Sequence, residues 1–79
     1  MGLSILQQTI NFIANKLDKD PATINGDTTF DSLGIYPGPD SKQLIMELED
    51  HFNLTYEEGD EDGITTVGEA ANLITNKLG

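Results

Sequence analysis

The stretch Pro37–Phe52, PGPDSKQLIMELEDHF, decides how this chain folds. Two prolines and a glycine interrupt whatever precedes them, an Asp-Ser pair follows, and apolar residues then recur at helical spacing. Leu44, Ile45, Leu48 and Phe52 share one face of the resulting helix, and Gln43, Met46, Glu47 and Asp50 share the opposite one. Met46 is the apolar exception on the polar face; a flexible thioether ringed by carboxylates suits contact with several different partners. Ser41 stands at the start of this helix. There it is either a cap for a first-turn amide, a contribution of about 1 kcal/mol, or a chemical handle.

Outward from this helix the chain reads helix, long loop, helix, acidic turn, helix, which defines a single all-α domain over residues 1–79. Leu3, Leu6, Ile10, Ile13 and Leu17 recur every three or four residues and predict a first helix of about four turns. Ile5 and Phe12 fall off that stripe and are expected to meet the loop that follows. Asp18 to Pro21 close the helix, because proline disfavours helical geometry in the residue before it. Residues 21 to 40 carry turn chemistry at Asn25-Gly26-Asp27 and Pro37-Gly38-Pro39. Ile24, Phe30, Leu33, Ile35 and Tyr36 interrupt this loop as apolar anchors, and predict a packed crossover. Thr66-Val67-Gly68-Glu69 has the pattern of a capping box and opens a last helix whose buried stripe is Val67, Ala70, Ala71, Ile74 and Leu78.

Composition narrows the function. With 79 residues, the chain buries roughly two-thirds or less of its unfolded surface, which leaves no room for a cleft enzyme with its own substrate pocket. The sequence has no cysteine, which removes disulfides, thiolate metal sites and a Cys nucleophile. Fourteen Asp and Glu stand against four lysines, for a net charge of −10. Such a chain repels phosphate backbones, so nucleic acid is not an expected partner; basic protein surfaces are. No basic leader or apolar span is visible, so no membrane contact is expected and the anticipated setting is a cytoplasmic monomer.

Four segments taken together carry a family resemblance: TTFDSLGI, the helix end IMELEDHF, the start of the last helix ITTVGEAANLI, and the order of the elements. In these respects the chain resembles an acyl carrier protein over nearly its whole length. The resemblance implies a small four-helix bundle, three helices long and one short, that is not itself an enzyme. It also implies an acyl or aminoacyl cargo held as a thioester on covalent 4′-phosphopantetheine, for fatty-acid, polyketide or peptide synthesis. The implied partners are a phosphopantetheinyl transferase and acyl-transfer or synthase enzymes with basic patches, meeting Gln43, Met46, Glu47 and Asp50. The anchor is a serine at the start of the second helix; here that makes Ser41 the expected attachment residue, with Asp40 as N-cap beside it. A helix N-terminus tolerates the phosphodiester because its amides and dipole favour an anion.

The chain departs from the family pattern at this point. Leu33-Gly34 is followed by Ile35-Tyr36-Pro37-Gly38-Pro39 before Asp40-Ser41-Lys42, and lysine stands where the family's Asp-Ser-Leu has leucine. Counted back from Phe52 without gaps, the family's serine falls near Gly38. Keeping Ser41 as the anchor therefore requires a longer loop and a helix shorter by about one turn. Pro39 favours such a delayed start. The literal Asp-Ser-Leu at Asp31-Ser32-Leu33 precedes Gly-Ile-Tyr-Pro-Gly-Pro, which cannot be helical, and Ser32 is set aside. A carrier-like interaction module without prosthetic group, with Ser41 as a mere cap, is the alternative. A third reading takes Glu58, Asp60, Asp62 and Glu69, with Gly63 at the sixth position, as a calcium loop. Against it stand Thr65 at an aliphatic position and a capping role for Glu69. No metal site is expected.

Overall fold

A computed structural model describes residues 2–79 and contains three α-helices among them: α1 (Ile5–Leu17), α2 (Pro39–His51) and α3 (Val67–Leu78). α1 begins where the Ser4 hydroxyl accepts the Gln7 amide at 3.0 Å. It ends at Asp18, whose left-handed backbone lets the Lys19 amide close on the Ala14 carbonyl at 2.8 Å. α3 carries the predicted capping box, with Thr66 accepting from the Glu69 amide and Glu69 accepting from the Thr66 amide.

The core is a single cluster drawn from all three helices and the long crossover: Ile10 and Ile13 of α1, Leu44, Ile45 and Leu48 of α2, Val67, Ala70 and Ile74 of α3. Ile24, Phe30 and Ile35 pin the crossover into it and Leu33 packs partly buried against it, whereas Tyr36, also expected as an anchor, is exposed. The ends of two stripes lie outside. Leu3 precedes the Ser4 cap and is exposed, as is Leu6, and Leu78 lies exposed in the last turn of α3. Thr9 takes an inward place on α1 instead, its hydroxyl donating to the Ile5 carbonyl at 2.8 Å so that burial leaves it satisfied. The Phe12 ring packs on His51 at the end of α2, centroids 4.9 Å apart, and Ile5 and Phe12 both pack partly buried against the core cluster.

Among the described residues no fourth α-helix joins the three, so the expected count of four is not reached. Glu57–Gly63 forms consecutive turns, and the two short helical elements, Pro21–Thr23 and Asp31–Leu33, are single 3₁₀ turns in the crossover. Two causes act in the acidic segment. Gly59 and Gly63 both take positive φ, 93° and 78°, which breaks helical continuity, and five carboxylates within six residues repel one another.

The crossover also pairs with the approach to α3. The Phe30 amide donates to the Thr65 carbonyl, Val67 to Thr28, and Gly68 to Gly26, all between 2.9 and 3.0 Å, around an antiparallel bridge between Thr29 and Thr66. Only a residue without a side chain fits the last contact. A Cβ on Gly68 would lie 2.8 Å from the Gly26 carbonyl oxygen.

Candidate functional site: the start of α2 and its outer face

The chain enters α2 through Tyr36-Pro37-Gly38. Gly38 is the N-cap, at φ 101° and ψ −133°, and supplies no capping side chain. Pro39 is the first helical residue and has no amide to offer. The expected capping role of Asp40 is thus corrected: Asp40 is exposed in the second helical position, where its charge complements the helix dipole but its place is inside the helix. Pro39 is the physical reason, since its fixed φ suits the first helical position and moves the cap back to glycine.

Ser41 is the third helical residue and 5% exposed. It lies on the same inner side of α2 as Leu44, Ile45 and Leu48, and its amide already donates to the Tyr36 carbonyl at 3.3 Å. It lines a cavity of about 440 Å³ together with Phe30, Ile35 and Ile64, with Asp31, Glu61 and Asp62 among the other walls. Ser32 is exposed in the Asp31–Leu33 turn, where its hydroxyl donates to the Thr29 carbonyl at 2.7 Å.

The outer face of α2 presents Gln43, Met46 and Asp50 to solvent with Glu47 half-exposed beside them. Glu47 is engaged from two sides. Lys16 of α1 and Gln43 both donate to it, and the Lys16 hydrogen bond, the larger influence, holds its carboxyl below the usual range. Alongside runs a groove formed by Phe12, Met46, His51, Leu54 and Tyr56. Lys42 lies 5.8 Å above the Tyr56 ring and 3.5 Å from Glu58. The Tyr56 hydroxyl donates to Glu61, which pushes the phenol up to about 12 and holds the Glu61 carboxyl down.

Behind the acidic turn lies an ionic cluster that sequence reasoning missed. Glu49 is completely buried, and its carboxylate meets the Lys77 ammonium at 2.8 Å. Lys77 also donates to Asp60 and, at 2.9 Å, to the Thr55 carbonyl, with Glu57 at 3.9 Å. Burial pushes the Glu49 carboxyl up, and the Lys77 ammonium beside it only partly offsets this. Asp60 lies below the usual range: burial opposes its charge, but Lys77 and the Glu57 amide prevail. The signal was present in the spacing, because Glu49 follows Ile45 by four residues and so lies on the buried stripe. The calcium-loop reading loses its ligands here. Asp60 is held by Lys77, and Glu69 accepts from the Thr65 amide, the Thr65 hydroxyl and the Thr66 amide, which together hold its carboxyl low. Among the described residues no three His, Cys, Asp or Glu converge as a metal site requires.

Three helices around one core, the second presenting an acidic outer face, define a small all-helical protein. Compared with models of protein families the chain matches none. Compared with curated proteins, it is 32% identical over 79 residues to an "Acyl carrier protein" of Picosynechococcus sp., covering all of this chain and 98% of that one. It is 35% identical over 75 residues to an "Acyl carrier protein" of Exiguobacterium sp., covering 94% of each. It is 36% identical over 55 residues to "Acyl carrier protein 2, chloroplastic" of Spinacia oleracea, covering 70% of this chain and 42% of the relative. The chain belongs to the acyl carrier protein family, whose members are carriers and not enzymes.

Proposed function

We propose that this protein is a docking partner in carrier-dependent acyl or aminoacyl chemistry, recognised by basic patches on acyl-transfer or synthase enzymes through the outer face of α2. The exposed Met46 between the carboxylates of Glu47 and Asp50, on a chain of net charge −10, carries this reading. Long-range attraction brings the partner in, and the thioether and the aromatic groove beside it supply apolar contact. Such a protein supplies an address; bond making belongs to the enzyme that reads it. No helix among the described residues is long and apolar enough to cross a membrane.

Asp50 is the position to test, because Lys16 already neutralises Glu47. Asp50→Lys is expected to slow association with a carrier-dependent synthase about tenfold at low salt, and to flatten the salt dependence of the rate, with helix content unchanged. Rates equal to those of the parent across a salt series would overturn the docking reading.

Family carriers hold their cargo on covalent 4′-phosphopantetheine, and Ser41 was the expected anchor. The residues around Ser41 do not fit that group. Ser41 is only 5% exposed, its own amide is spent on Tyr36, Pro39 lacks an amide, and the carboxylates of Asp31, Glu61 and Asp62 line the cavity a phosphodiester on it would enter. We therefore rest the proposal on docking alone and leave the pathway, fatty-acid, polyketide or peptide, to the identity of the partner.

A further inference from the structure

We infer that the anchoring serine of the family has been replaced by Gly38, and that this protein docks without a covalent arm. The inference deepens the docking proposal and rests on it for what the protein then does. α2 runs without interruption from Pro39 to His51, so it has not been shortened by the turn that an anchor at Ser41 requires. The gapless count back from Phe52 therefore applies, and it ends at Gly38. Gly38 occupies the place an anchor needs: it is exposed, at the N-cap, with open space within 4 Å of where a Cβ would stand.

The residues around that place are unsuited to a serine or its phosphodiester. Gly38 has φ 101°, a backbone that L side chains rarely adopt, and Pro37 and Pro39 restrict the chain on either side. Pro39 removes one of the first-turn amides that would steady a phosphate, and Asp40 adds a carboxylate next to it. The remaining serine near this helix start, Ser41, is only 5% exposed and shares its cavity with the carboxylates of Asp31, Glu61 and Asp62. The other nearby serine, Ser32, is in a one-turn 3₁₀ helix with its hydroxyl committed to Thr29, and a helix so short presents no anion site.

Loading by a transferase joins a serine hydroxyl oxygen to the phosphorus of coenzyme A that bears the pantetheine. The pyrophosphate bond breaks, adenosine bisphosphate leaves and the hydroxyl proton is lost. The test is intact mass after incubation with coenzyme A and a promiscuous phosphopantetheinyl transferase, with a carrier that the same enzyme loads as control. The parent and Ser41→Ala are expected to keep their masses. The triple variant Pro37→Asp, Gly38→Ser, Pro39→Leu, which restores Asp-Ser-Leu in register with α2, is expected to gain one phosphopantetheine group. Loading of the parent, whether lost or retained in Ser41→Ala, would overturn the inference. So would a triple variant that keeps parental helix content by circular dichroism and stays unloaded. If the triple variant fails to fold, the parent alone decides. Docking is measured separately, by association of the unloaded parent and Asp50→Lys with the synthase: loss of the Asp50→Lys effect removes the docking reading and leaves the loading result standing.

Discussion

Glu49 is the residue on which stability turns most sharply. It is buried with Lys77 as its charged partner, and removing one member of such a pair leaves the other uncompensated. Lys77→Met is expected to cost about 2 to 3 kcal/mol, less than a fully buried pair because Lys77 keeps some exposure, and chemical denaturation checks it. The pair also gives the fold a pH signature. Glu49 titrates above its ordinary value in the folded state, so its contribution to stability is complete below the normal carboxylate range and is lost as pH rises through the raised value. Asp60, Glu61 and Glu69 titrate below theirs, so their contributions are present above that range and lost as pH falls through the depressed values. The melting temperature should therefore rise as acidification carries pH down through the raised Glu49 value, then fall as pH drops through the depressed values of Asp60, Glu61 and Glu69. Glu49→Gln should flatten the neutral limb and keep the acid limb, and calorimetry over a pH series would contradict this if the two proteins gave parallel curves.

The elements were legible in the sequence wherever one local rule sufficed. The 3.6-residue period placed all three α-helices, Pro21 and its neighbours marked the end of α1, and the pattern Thr66 to Glu69 gave the capping box of α3 residue for residue. What escaped was set by contacts between distant segments. Glu49 needed Lys77, twenty-eight residues on, to make its burial tolerable, and nothing local announces that partner. The tie between Gly26–Phe30 and Thr65–Gly68 needed the two ends of the crossover to meet, and no period-2 alternation announced it. The start of α2 was misread by one rule overriding another: Asp40 is a good cap by composition, but Pro39 is a better first helical residue and fixes the cap at Gly38. The crossover tie makes its own prediction. Gly68→Ala would force its Cβ against the Gly26 carbonyl and is expected to cost about 1 to 3 kcal/mol, while Gly2→Ala, with nothing within 4 Å, should cost almost nothing. Equal melting temperatures for the two variants would contradict that account of the contact.

At the scale of the whole molecule, a surplus of ten negative charges acts on a fold only 18 Å across its shortest axis. Self-repulsion concentrates at the turn from Glu57 to Asp62, and salt should raise the melting temperature by screening it. A melting temperature indifferent to ionic strength would show that Lys77 and Lys42 neutralise that turn sufficiently by themselves. Lys77 has a wider consequence. Its ammonium stands among Glu49, Glu57 and Asp60, so the protein brings its own counter-ion to the cluster, delivered by the last turn of α3. Helix ends fray, and each time that turn opens the carboxylates are left without their cation. A lysine or arginine from a docking partner could then take the vacated place, and by reciprocity a partner that does so must loosen the end of α3 by the same free energy with which Lys77 had resisted it. Engagement at the acidic turn would thus be reported at the far end of the chain, as faster amide exchange at Asn76 and Lys77 when a basic partner binds.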